Sequence, residues 1–274
     1  MNQEPLRAIT EAEIETYARD GVVHLRGLFD VEWIAHLCDQ ADRDMITPGK
    51  MKHELAEKDD PGRFFTDTFL WPRHPEFRDF VFQSPAAEIA GTVMRSSRIN
   101  IVFDQLLIKE PKTRQRTVWH HDVTYWPIKG DQVCTLWIAL DPVTPETGAA
   151  EFVKGSHLWG QRYAPIAFRP EIDYDEDLPP VPDIEAVRDE LEILQFSFEP
   201  GDCTLHHGLT VHGAPGNASE SLRRRAHVSR WAGDGVVYDP RPGIQPMLWD
   251  PELAPGAPLD CDLWPEVWTR RLAA

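Results

Sequence analysis

From residue 99 onward the chain is a succession of short β-forming segments broken by turn residues, and this limits its fold more than any other feature. Residues 99–109 are rich in β-formers, 132–140 (Gln-Val-Cys-Thr-Leu-Trp-Ile-Ala-Leu) read as a buried strand, and 191–198, 203–206 and 225–231 are further strands. Pro142, Gly148, Gly155, Pro200-Gly201 and Gly213 punctuate them. Many short strands between turn signals predict a sandwich or barrel. Helical signals lie mostly ahead of this region. Thr10 and Glu13 make a capping box for a helix through Ile14, Tyr17 and Ala18, which Gly21 ends before a short strand over 22–25. Asp30 caps a second helix with Trp33, Ile34, Leu37 and Ala41 on one face, and Ser84-Pro85 opens another. The expected fold is mainly β with flanking helices around a double-stranded β-helix, a jelly-roll or cupin-like core. One domain is expected over 1–274: helices in 1–98, core in 99–232 and a C-terminal wrap in 233–274. Polar residues 46–63 read as a mobile loop. The acidic, proline-rich stretch 169–183 reads as a long insertion, the kind that forms lids or stays disordered.

The formal net charge of −17 opposes nucleic acid and anionic membrane surfaces. It serves solubility, and more weakly favours a cationic or zwitterionic substrate. Cys38, Cys134, Cys203 and Cys261 form no C-x-x-C pair and read as free thiols of a reducing compartment. The opening Met1-Asn2-Gln3-Glu4-Pro5 lacks the basic and apolar regions of a secretory signal, and no apolar run is long enough to span a bilayer. A cytoplasmic location is therefore expected.

The chemistry centres on His120 and Asp122 in Val-Trp-His-His-Asp, followed by His212 and then Arg223. Two imidazoles and one carboxylate hold one face of a non-haem Fe(II) and leave the opposite positions open for oxygen chemistry. Residues two apart on a strand share a side, so His120 and Asp122 aim at one point and His121 points away. A lone H-x-D is weak, since a chain with eleven histidines has about one by chance. The distant His212 adds weight, and so does Arg223, a fixed cation suited to a bidentate grip on a carboxylate. A keto diacid that chelates iron at one end needs such a grip at the other. Alternation is taken to place Arg223 inward and Arg224 outward. His206 and His207 read as core or supporting residues. Tyr125 and Trp126 read as core or as a pocket wall, with Phe64, Phe65 and Trp71 equally open; Lys109 shares the strand parity of Gln105, and a solvated strand end explains it equally well.

These residues resemble the phytanoyl-CoA dioxygenase-like family of Fe(II)/2-oxoglutarate oxygenases. The resemblance runs through residues 14–29, Trp119-His120-His121-Asp122 with Tyr125-Trp126-Pro127, residues 136–141, Thr147-Gly148-Ala149 to Ser156-His157, and His212-Gly213 with Asn217, Ser219 and Arg223. It implies His120, Asp122 and His212 as iron ligands, and Arg223 as the partner of the distal carboxylate of 2-oxoglutarate. It further implies Gln105 and Trp137 at the co-substrate site. The family often carries Ser two residues after the distal histidine; here Ala214 stands there, removing one hydroxyl, for which Arg223 or Ser229 would have to compensate. Retention of Asp122 speaks against halogenase chemistry.

The resemblance implies an oxygenase that uses Fe(II), 2-oxoglutarate and O₂, hydroxylates an unactivated C–H bond of a small metabolite, and releases succinate and CO₂. The family accepts varied substrates. An acidic chain without a long basic run is a poor host for coenzyme A, which favours an amine, an amino-acid-like compound or another specialised metabolite. The alternatives are a non-catalytic jelly-roll protein binding a metal or ligand, and a cupin-type dioxygenase that uses no keto acid.

Overall fold

A computed structural model describes residues 1–166, 178–242 and 244–270. Within these lie helices α1 (Glu11–Asp20), α2 (Val31–Ile46), α3 (Pro75–Gln83) and α4 (Ala86–Val93). The strands are β1 (Val22–Leu25), β2 (His53–Glu54), β3 (Phe64–Thr68), β4 (Arg98–Lys109), β5 (Thr117–His120), β6 (Ile128–Lys129) and β7 (Val133–Ala139). They continue with β8 (Glu151–Val153), β9 (Ile193–Gln195), β10 (Cys203–His207), β11 (His212–Ala214), β12 (Arg224–Ala232), β13 (Val237–Tyr238) and β14 (Glu266–Thr269). The larger sheet runs β1-β10-β7-β12-β4-β3-β2, with β14 also on β4; the smaller runs β5-β11-β8-β9. Every pairing among these strands is antiparallel, giving the mainly β jelly roll expected.

The helices form as their caps dictate. Thr10 accepts from Glu13 N while the Glu13 carboxylate accepts from Thr10 N, and Gly21 closes α1 at φ 79°. Asp30 accepts from Trp33 N at 3.0 Å to start α2; such a cap contributes about 1 kcal/mol. The helices cover one face of the larger sheet. Trp33, Leu37, Phe77, Phe80 and Ile89 pack there on Leu106, Ile108, Leu136, Ile138, Leu205 and Trp231. Alternation along β4, β7, β10 and β12 turns the intervening residues towards the smaller sheet, and the cavity lies between the two. Phe65 and Trp71 belong to the helix-side core.

Four expectations change. Pro75 opens an unanticipated helix, α3, and Phe77, Phe80 and Val81 bury its apolar stripe. Part of 46–63 is ordered as β2, which pairs with β3 and carries His53 to the cavity rim. Beyond residue 233 the chain does more than wrap: β14 extends the sheet beside β4, and Leu259, Leu263 and Trp264 are buried. Lys109 is no solvated strand end, for it is fully buried, donates to Pro215 O at 2.7 Å, and is held well below the usual lysine range by burial. Of 169–183, residues 169–177 lie outside the described residues. Among the described residues no helix is long and apolar enough to cross a membrane.

His207 gives the fold an acid sensitivity. Its Nδ1 accepts from Leu209 N at 3.0 Å, a bond that only the unprotonated nitrogen makes. Burial, with repulsion from His157, lowers its pKa to about 4. An unfolded histidine takes up its proton near 6.5, so the residue costs nothing above that pH. Between 6.5 and 4 the unfolded state binds the extra proton, and stability falls by up to roughly 3 kcal/mol. The metal-free protein is expected to melt earlier at pH 5 than at pH 7.5, and His207→Asn, which keeps an acceptor, should narrow that gap. An unchanged gap in thermal melts of the variant would remove His207 as its source.

Candidate active site

In the smaller sheet β5 and β11 pair with His120 directly opposite His212, their ring centroids 4.3 Å apart. The ladder of β5 ends at His120, and Asp122 opens a 3₁₀ turn, Asp122–Tyr125. His121 stays extended (φ −125°, ψ 151°), so alternation continues one residue past the ladder and returns Asp122 to the His120 side. His121 points away and its Nε2 accepts from Tyr163 N at 3.1 Å. The N–H groups of Asp122 and Val123 both donate to Gly208 O, which fixes the turn.

Hydrogen bonds set the imidazole tautomers. His120 Nδ1 lies 2.8 Å from Val118 O and His212 Nδ1 lies 2.9 Å from Thr210 O. A carbonyl only accepts, so each Nδ1 carries the proton and each Nε2 presents a bare lone pair. Those Nε2 atoms lie 3.4 Å and 3.8 Å from Asp122 Oδ1. The other oxygen, Oδ2, accepts from Thr135 Oγ1 at 2.6 Å. All three ligand atoms fall within 4.8 Å of one another. Cis ligands about 2.1 Å from one first-row ion stand roughly 3 Å apart, so the group fits a single divalent metal, and its two-histidine, one-carboxylate chemistry suits Fe(II).

The protonation states agree with that use. The Thr135 hydroxyl, donating to Asp122 Oδ2, favours the charged carboxylate there. Burial, then repulsion from His120 and His206, holds His212 well below the usual histidine range. A charged carboxylate and a neutral imidazole are the forms that bind metal. His206, with Nε2 3.4 Å from Asp122 Oδ2 and its ring 4.5 Å from that of His212, packs behind the ligands. Thr135→Val leaves Oδ2 without its donor, and hydrogen-bond partners of ligands contribute about 10–100-fold in metal affinity. A competitive chelator titration should show a loss of that size; retention of full affinity would mean the hydroxyl plays no part.

The cavity around this group has a volume of about 170 Å³. Gln105, Trp137, Tyr125, Trp126 and Phe64 all line it. Gln105 Nε2 donates to Thr66 Oγ1, and Tyr125 Oη donates to Ile166 O.

Arg223 does not line it. Its guanidinium binds Asp42 Oδ1 at 2.8 Å and Glu110 Oε1 at 2.7 Å on the helix side of the sheet. Arg225 takes the same direction, binding Asp141 and the other oxygen of Asp42. The buried cation at this end of β12 is Arg224, which reaches the cavity, donates to Gly148 O at 3.0 Å and lies over Trp137. The inward phase of β12 is thus 224, 226, 228 and 230, opposite to the phase read from sequence; Trp231, in the helix-side core, and His227, against Phe77 and Phe80 of α3, fix it. The same phase brings in Arg230, a cavity residue that the sequence reading missed. Ser229 faces the helices and accepts from Trp231 Nε1, so it cannot replace the hydroxyl absent at Ala214. Thr117, paired across from Ala214, brings a hydroxyl to that part of the cavity.

Comparison with known proteins agrees with this architecture. Residues 17–226 match the family model Phytanoyl-CoA dioxygenase (PhyH). The multifunctional dioxygenase prhA of Penicillium brasilianum is 27% identical over 236 residues, covering 81% of this chain and 72% of the relative. The non-haem α-ketoglutarate-dependent carbocyclase SnoK from nogalamycin biosynthesis superposes with a TM-score of 0.76 at 24% identity, covering 98% of this chain and all of its own. The epimerase SnoN, solved with Fe³⁺, α-ketoglutarate and nogalamycin RO, gives 0.73 at 25% identity over 94% of this chain and 98% of its own. The chain therefore belongs to the phytanoyl-CoA dioxygenase (PhyH) family and is an Fe(II)/2-oxoglutarate-dependent dioxygenase.

Proposed function

We propose that 1–274 forms one oxygenase domain in which His120, Asp122 and His212 hold Fe(II), and in which Arg224, not Arg223, grips the distal carboxylate of 2-oxoglutarate. The observation that carries this is the pairing, in one cavity, of the three converging ligand atoms with a buried guanidinium that has no carboxylate partner among the described residues. Burial lowers the Arg224 pKa only to about 10, so it remains charged at neutral pH. An uncompensated buried cation is costly, and a ligand carboxylate offsets that cost. Trp137 supplies a flat wall beside it and Thr117 a hydroxyl. When bound, iron and 2-oxoglutarate supply the oxidising step, with O₂ consumed and succinate and CO₂ released. The chain's own part is placement. The carbonyls of Val118 and Thr210 hold the imidazoles, Thr135 holds the carboxylate, and Tyr125, Trp126 and Phe64 keep water from the substrate side.

The proposed reaction is hydroxylation of an unactivated C–H bond in a small, amine- or amino-acid-like metabolite. A succinate-release screen over a metabolite panel, with His120→Ala as control, tests it. The carbocyclase and epimerase among the structural neighbours make the product the discriminating readout. Hydroxylation adds one oxygen to the substrate, desaturation or ring closure removes two hydrogens, and epimerisation leaves the mass unchanged. Sustained substrate-dependent turnover by the His120→Ala variant would contradict the assigned metal site.

A further inference from the structure

The cavity holds a second buried cation. Arg230 sits six residues from Arg224 on the same face of β12, roughly 20 Å along the strand, and faces the same space. It is only 7% exposed, and no carboxylate lies within ion-pair distance of it among the described residues. A guanidinium offers five N–H donors. Here Nη2 donates to Gln105 Oε1 at 2.6 Å, Nη1 approaches Val228 O at 3.4 Å, and Nε is buried without a partner. The group lies over the Phe103 ring at 4.6 Å, where β4 skips one residue of register between the partners of Arg230 and Trp231. Burial lowers its pKa to about 10, so it is charged at neutral pH.

Its position is next to the reacting centre. Arg230 pairs across β7 with Thr135, the residue that donates to Asp122. Among the described residues Asp122 is the one carboxylate lining the cavity, and it is committed to the metal group. A metal dication, one carboxylate and two guanidiniums together exceed the charge of a dianionic keto acid by one. Leaving that charge unpaired in a desolvated cavity costs several kcal/mol, so a further ligand group of opposite sign is favoured there.

We propose that Arg230 is a specificity-determining residue, and that its guanidinium, held by Gln105 over Phe103, receives a carboxylate or other anionic oxygen of the substrate. This rests on the reading that Arg224 takes the co-substrate. It narrows the substrate class: an amino-acid-like compound meets the requirement through its carboxylate, whereas a simple amine does not. The acidic outer surface does not set this preference, because the cavity has the opposite sign.

The test uses the full chain loaded with Zn(II) in place of iron and saturated with 2-oxoglutarate, so that no turnover occurs. Phenylacetate, phenylacetamide and phenethylamine serve as matched probes, followed by tryptophan fluorescence, since Trp126 and Trp137 line the cavity. Phenylacetate should bind at least tenfold more tightly than the other two. Arg230→Met should bring all three within threefold while leaving 2-oxoglutarate affinity within threefold of the parent, and Arg230→Lys should restore part of the preference. The inference is overturned if phenylacetate fails to bind at millimolar concentration, or if the amide or amine binds as tightly in the parent protein. It is also overturned if Arg230→Met keeps the preference, or loses 2-oxoglutarate while Arg224→Met retains it. The parent protein alone decides the first two outcomes, so a variant that fails to fold leaves the test standing. Absence of 2-oxoglutarate binding in the parent would count against the proposed function, separately from the probe series.

Discussion

Arg224→Met is expected to weaken 2-oxoglutarate binding by two to three orders of magnitude, whereas Arg223→Leu should leave it within about threefold. Removing one partner of a buried, hydrogen-bonded charge pair costs about 2–5 kcal/mol, and about 1.4 kcal/mol corresponds to tenfold in affinity. Arg223 is bound instead to Asp42 and Glu110 at a partly exposed site, where ion pairs contribute at most about 1 kcal/mol. The two variants also differ in stability without ligand. Arg224 is a buried cation with no carboxylate partner among the described residues, so replacing it with an apolar chain of similar length should leave the ligand-free melting temperature unchanged or raise it. Calorimetric titration of 2-oxoglutarate into the metal-loaded variants, with thermal melts alongside, checks both halves. A loss of affinity that follows Arg223 would return the grip to the residue the sequence pattern suggested.

Asp122→Ala should abolish retention of iron and lower turnover at least about a thousandfold, because the metal contributes several kcal/mol to the transition state. His206→Gln is the informative partner. His206 lies 3.4 Å from Asp122 Oδ2, but that oxygen already accepts from Thr135, and the convergent set consists of His120, Asp122 and His212. Its replacement should leave iron content within a few-fold of the parent. Metal analysis after gel filtration separates the cases; iron lost equally from both variants would make His206 a ligand.

The parts of the fold that sequence made legible are those with local causes. The Thr10–Glu13 capping box and Asp30 set the starts of α1 and α2, and Gly21 sets the end of α1, each through a bond or backbone angle confined to a few residues. The metal group was legible for a related reason. Its three residue types are demanded by coordination, and extended backbone at His121 brings Asp122 round beside His120 even though the ladder has ended. Helix α3 escaped because its first turn has no side-chain cap; Pro75 and the Phe77, Phe80, Val81 spacing were the available signals. The phase of β12 escaped for a different reason. Three consecutive arginines carry no polarity difference to mark inside from outside. The phase comes from Trp231 and His227, whose helix-side burial depends on α3 and on the distant β4. Counting back from Trp231 by twos gives Arg225 and Arg223 outside and Arg224 and Arg230 within. The loss of a hydroxyl at Ala214 was visible in the chain, but Thr117 as the nearby hydroxyl depends on the pairing of β11 with β5.

Anaerobic titration of 2-oxoglutarate into the Fe(II)-loaded protein, followed by visible absorption, tests the central claim most directly. A weak charge-transfer band that saturates at one equivalent of 2-oxoglutarate, persists in Arg223→Leu and is lost at the same concentration in Arg224→Met is the predicted result. Iron bound at full occupancy with no band on adding 2-oxoglutarate, or a band unaffected by Arg224→Met, would contradict it.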